Sequence, residues 1–67
     1  MIIYIALVKT DDNKPPLLVV RDEAEEIREY LLSIPVMYTL QSFTIYDSGR
    51  QQVEHLSLRQ LVNFLKP

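Results

Sequence analysis

The sequence predicts an α+β fold: a single small domain of ββαββα order, a four-stranded and mainly antiparallel sheet with two helices packed on one face. Three observations predict it. Four short runs rich in β-branched and aromatic residues are bounded by turn-forming residues, the mark of strands. Two stretches instead repeat their apolar positions at helical spacing, each behind a polar residue suited to cap a helix. A chain of 67 residues has room for one domain at most.

The first strand is expected at 2–8, IIYIALV. The run is too short for an ordinary helix and stops at a turn-rich segment. Its alternating sets are Ile3, Ile5 and Leu7 against Ile2, Tyr4, Ala6 and Val8, and both are apolar. Such a strand calls for cover on both faces. Residues 10–16, TDDNKPP, read as a loop, because Asp and Asn form local turns while Pro15 and Pro16 exclude helix and central ladder alike. Residues 17–21, LLVVR, make a second strand, antiparallel to the first.

A helix is expected over 23–33. Asp22 stands where a cap is needed, and Glu25 completes the D-x-x-E form of a capping box. Ala24, Ile27, Leu31 and Ile34 share one face, with Tyr30 on its edge. Pro35 ends the helix. Strands follow at 38–46, YTLQSFTIY, and 51–56, QQVEHL. A three-residue turn at Asp47, Ser48 and Gly49 would pair Phe43 with Val53 and Leu40 with Leu56, and would need Gly49 left-handed. The last helix is expected over 57–66, with Ser57 as cap and Gln60 completing S-x-x-Q. Leu56 is placed to staple onto Leu61, and Leu58, Leu61, Val62 and Leu65 form the expected buried stripe.

Composition removes several kinds of chemistry. There is no cysteine, so disulfides and thiolate metal sites are excluded, and one histidine cannot build a His-rich site. No cofactor or metal is expected. One glycine cannot furnish a phosphate-binding loop. A net charge of −2 opposes non-specific binding to nucleic acid or to an anionic membrane. Tyr4, Phe43 and Tyr46 on strands raise the thought of an RNA platform. The seven Lys and Arg residues are scattered, however, and without a basic stripe packing is the better reading. The opening MIIYIALV lacks a basic flank and is too short for a signal core or a membrane span. The expectation is a soluble protein of the cytoplasm.

The most charge-biased stretch is RDEAEEIREYLL, residues 21–32. Asp22, Glu25, Glu26 and Glu29 fall on one side of the expected helix, opposite Ile27 and Leu31. The plain reading is a solvated face whose first-turn carboxylates suit the helix dipole. The sharper reading is a docking face for a protein with a basic surface, in which Arg21 and Arg28 dilute the field. Leu32 projects beside Glu25, and Pro35, Val36, Met37 and Tyr38 extend apolar surface past the helix end. Exposed patches of that kind mark interfaces.

Catalysis finds little support. His55 would need a nucleophile and an orienting acid, and its expected cross-strand neighbours, Gln41 and Ser42, supply no triad. The helix carboxylates lie on an open convex face, without the burial that tunes acid–base groups. The expected function is therefore a small non-catalytic interaction module that regulates or inhibits a larger protein by surface docking. Inhibitors of nucleic-acid enzymes encoded by phages or mobile elements are an analogy for this mode of action. The alternative is a homo-oligomeric structural or assembly subunit. A homodimer is expected either way, through the open sheet face or the Leu32–Tyr38 surface, because two helices cannot cover both faces of a four-stranded sheet.

Overall fold

The computed structural model describes residues 1–35 and 37–66. The elements are β1 (Ile2–Lys9), β2 (Leu17–Arg21), α1 (Ala24–Ser33), β3 (Thr39–Asp47), β4 (Gln52–His55) and α2 (Leu58–Leu65). The sheet order is β2-β1-β3-β4, and every neighbouring pair is antiparallel. β2 and β3 therefore run the same way on either side of β1. The chain between them includes α1. This is the ββαββα architecture that the sequence predicts.

β1 is a central strand, and its even-numbered residues point to the helices. Ala6 and Val8 are fully buried, joined by Val19 of β2, Phe43 of β3, and Ile27 and Leu31 of α1. Tyr4, Leu40, Ile45 and Leu56 extend this core across the sheet, and Tyr30, Ile34, Leu61, Phe64 and Leu65 extend it under the helices. Both helices thus pack on one face.

The loop after β1 behaves as its composition dictates. Asp11 accepts hydrogen bonds from the backbone N–H of Asn13 through its side chain (3.0 Å) and of Lys14 through its carbonyl (3.2 Å). Lys9 and Asp12 form an ion pair at 3.2 Å.

α1 starts later than the capping-box pattern requires. Its N-cap is Glu23, with extended backbone and no side-chain cap bond, so Asp22 does not cap it. The reason lies in β2, which stays in register to its last residue, with Arg21 opposite Tyr4. Asp22 and Glu23 are then needed to turn from strand into helix. Glu25 and Glu26 still occupy the first turn, where the dipole favours them. Ile34 is extended, as the residue before a proline should be.

The β3–β4 hairpin differs from the sequence reading by three residues of register. Tyr46, not Phe43, lies opposite Val53, and Asp47 lies opposite Gln52. The turn therefore spans residues 48–51. The Asp47 carboxylate organises it by accepting from the N–H groups of Gly49 (3.0 Å) and Arg50 (3.3 Å). Gln51 takes the left-handed position at φ 53°, and Gly49 does not have positive φ. The longer turn carries Leu56 to Phe43, whose carbonyl accepts the Leu56 N–H at 3.0 Å. It also moves Val53 to the opposite side of the sheet. A bulge completes the arrangement: Leu7 pairs with Ser42 but Val8 with Leu40, leaving Gln41 as the extra residue. Leu40 and Phe43, three apart, both reach the core only because of that bulge.

α2 has the expected reciprocal cap. The Ser57 N–H donates to Gln60 Oε1 (2.9 Å), and the Gln60 N–H donates to Ser57 Oγ (3.3 Å). Its core-facing stripe is Leu61, Phe64 and Leu65, each half-buried, whereas Leu58 is 78% exposed and Val62 48%. The expected stripe was rotated because it left Phe64 out. Phe64 stacks into an aromatic trio, with its ring centroid 5.7 Å from Tyr4 and 5.1 Å from Phe43. One buried aromatic ring removes more apolar area from water than either aliphatic side chain it displaces. Among the described residues, no helix is long and apolar enough to cross a membrane.

Candidate functional site

Among the described residues, two surfaces bear on function. The first is the outer side of α1. Asp22, Glu25, Glu26 and Glu29 are all exposed, as their spacing predicts. Among the described residues, none of these carboxylates is engaged in an ion pair, the pairs present being Lys9–Asp12 and Arg50–Asp47. Glu25, Arg28, Glu29 and Leu32 line a shallow depression of about 360 Å³, and Leu32 is 65% exposed.

The two arginines flanking these acids are anchored elsewhere. Arg28 donates from Nε to the carbonyl of Phe64 at 3.0 Å, and its guanidinium lies 5.0 Å from the centroid of the Phe64 ring. It thereby supplies positive charge at the C-terminal end of α2, which has no basic residue in its own last turn. Arg21 donates to the Val20 carbonyl at 2.8 Å and sits over Tyr30. Arg28 thus ties the acidic helix to its neighbour.

The apolar segment after α1 is not gathered into one patch with Leu32. Met37 is exposed and lines a separate depression of about 260 Å³ with Lys9, Asp11 and Thr39. Tyr38 is half-buried against the core, its N–H bonded to the Pro35 carbonyl at 2.9 Å. Val36 lies outside the described residues.

The second surface is the sheet face away from the helices. Because side chains alternate, the odd-numbered residues of β1, namely Ile3, Ile5, Leu7 and, at the rim, Lys9, point there. Register places Leu18 and Val20 of β2 opposite Leu7 and Ile5. Tyr46 lies opposite Ile3 on β3, and Val53 opposite Tyr46 on β4. Leu18 is 65% exposed, Val20 45% and Val53 57%. The polar members of this face are Lys9 and Thr39 at one rim and Ser42, Thr44 and His55, none of them a carboxylate. Thr44 Oγ1 and His55 Nδ1 lie 3.0 Å apart and satisfy one another. The neighbour of His55 is therefore Thr44, not Gln41 or Ser42.

The apolar character of both sets of β1 points to an uncovered face, whereas the expected pairing of Val53 with Phe43 puts Val53 on the other side of the sheet. The signal for β2 was present in LLVV, which is apolar on both sides as well. Among the described residues, no three of His, Cys, Asp and Glu stand together to hold a metal ion. Comparison with protein-family models, curated proteins and solved structures finds no match for this chain.

Proposed function

We propose that this protein is a small non-catalytic interaction module that regulates or inhibits a larger protein by docking on its surface. The observation that carries the reading is a pair of surfaces the fold leaves free, the first being the sheet face away from the helices, apolar across its interior with Lys9 at its rim. Monomeric proteins rarely leave contiguous apolar area of this kind exposed, and where it occurs it marks interaction sites. The outer side of α1 supplies a second surface of opposite character, with exposed carboxylates around Leu32. It suits a partner with basic side chains. The other reading, a structural or assembly subunit that binds itself, draws on the same apolar face.

The test is capture from extract of the source cells, with wild type beside the triple variant Glu25→Lys, Glu26→Lys and Glu29→Lys. These side chains point to solvent, so the variant keeps the fold. The proposal predicts a stoichiometric partner whose affinity falls with rising salt and is lost on charge reversal. A wild-type protein that captures only itself would favour the assembly-subunit reading instead.

A further inference from the structure

We infer that the open sheet face is covered by a second copy of this chain, so that two sheets stack face to face as a symmetric sandwich with the helices outside. This assignment deepens the interaction-module reading and rests on it. It gives the apolar face to self-association and leaves α1 free for the larger partner.

Area is the first argument. The strands hold 8, 5, 9 and 4 residues. At a rise of about 3.3 Å per residue and a spacing of about 4.8 Å, the sheet has a flat footprint of about 400 Å². Two copies bring together about 800 Å² of flat footprint, to which side-chain relief adds, which places the contact at the small end, below the roughly 1,200 Å² of standard specific interfaces. An area of this size matches a small, reversible interface and not an obligate one.

Charge is the second. A chain with net charge −2 repels its copy unless the carboxylates are kept from the contact. Here they are. The acidic cluster of 22–29 lies on the helix layer, on the far side of the sheet. Lys9, at the end of β1, is ion-paired with Asp12 of its own loop. The strand interior between these ends presents Ile5, Leu7, Leu18 and Val20, flanked by the mutually bonded Thr44 and His55. The interior of this face offers a charged partner nothing to pair with, its one cation being held by its own loop, whereas a second copy meets it apolar on apolar.

Shape is the third. Antiparallel sheets carry the same right-handed twist, and two identical sheets stack aligned at about 30° with interdigitating side chains. In a two-fold arrangement each edge strand can contribute on both sides, so Leu18 of β2 and Val53 of β4 both become contact residues.

The test is sedimentation equilibrium of the full chain from low to high micromolar concentration, with circular dichroism confirming that each variant is folded. Wild type is expected to approach twice the 7.9 kDa monomer mass. Leu18→Lys and Val53→Lys, both at exposed edge-strand positions, should each weaken self-association by about tenfold or more. Leu32→Lys, equally exposed but on α1, should leave it unchanged. A monomer throughout the range would overturn the inference and show that the face awaits a different protein, leaving the docking role of α1 standing. A dimer that survives both edge-strand variants, or dissolves with Leu32→Lys, would also overturn it.

Discussion

The two faces of this sheet are built from the same strands and nearly the same residue types, yet they play different parts. On one, Ala6, Val8, Val19 and Phe43 lie beneath two helices and lose their water. On the other, Ile3, Ile5, Leu7, Leu18 and Val20 meet no helix. The alternation of a strand decides which residues go together, but it does not decide which set is covered. That choice follows from the connections, because both helices return to the same side. The covered face should therefore govern stability, and the open face should govern association.

The sharpest way to break this division is to truncate one residue on each face. Phe43→Ala should cost about 3–5 kcal/mol, since it opens a cavity beneath the aromatic trio. Leu18→Ala, studied where the protein is dilute, should cost well under about 1 kcal/mol. Denaturant unfolding of both variants at one low concentration makes the comparison, and equal losses would erase the distinction between the faces.

The helices that cover the core offer a finer test. Ser57→Ala removes a reciprocal cap and should destabilise by about 0.5–2 kcal/mol. Asp22→Ala removes no cap bond and should change stability by less than about 0.5 kcal/mol. Thermal melts that show Asp22 to be the costlier loss would place the start of α1 at the wrong residue.

The smallest effects are expected in the turn that assigns Val53 to the open face and Leu56 to the core. Gln51→Gly relieves a left-handed residue and should stabilise by about 1 kcal/mol. Gly49→Ala has no positive φ to strain, and the new Cβ would meet Asp47 Oδ1 at 3.4 Å, an ordinary contact. Its effect should stay within about 0.5 kcal/mol. A reversed order in equilibrium unfolding would restore the shorter turn, and with it Val53 opposite Phe43.

What the sequence made legible was whatever depends on local pattern. Every element was present in it, because β-branched runs, helical stripes and Pro35 act over a few residues. The cap at Ser57 was legible for the same reason. The failures have two causes: contacts from elsewhere in the chain, and a turn whose competing lengths local pattern does not rank. Pairing of Arg21 with Tyr4 delayed α1, Phe64 turned α2 toward Tyr4 and Phe43, and the Asp47 turn with the Gln41 bulge reset the hairpin. The candidate surfaces divide along the same line. The exposed acids of α1 followed from helical spacing alone. The open face needed strand register, which local pattern leaves undetermined.

The most direct measurement is an isotope-filtered nuclear Overhauser experiment on a mixed sample of labelled and unlabelled protein at high micromolar concentration. It detects contacts between copies only. Cross-copy contacts confined to Ile5, Leu7, Leu18, Val20, Tyr46 and Val53 are the predicted result. Contacts that instead involve Leu32, Met37 or Leu58, or none at any concentration, would contradict the open sheet face as the surface on which two copies meet.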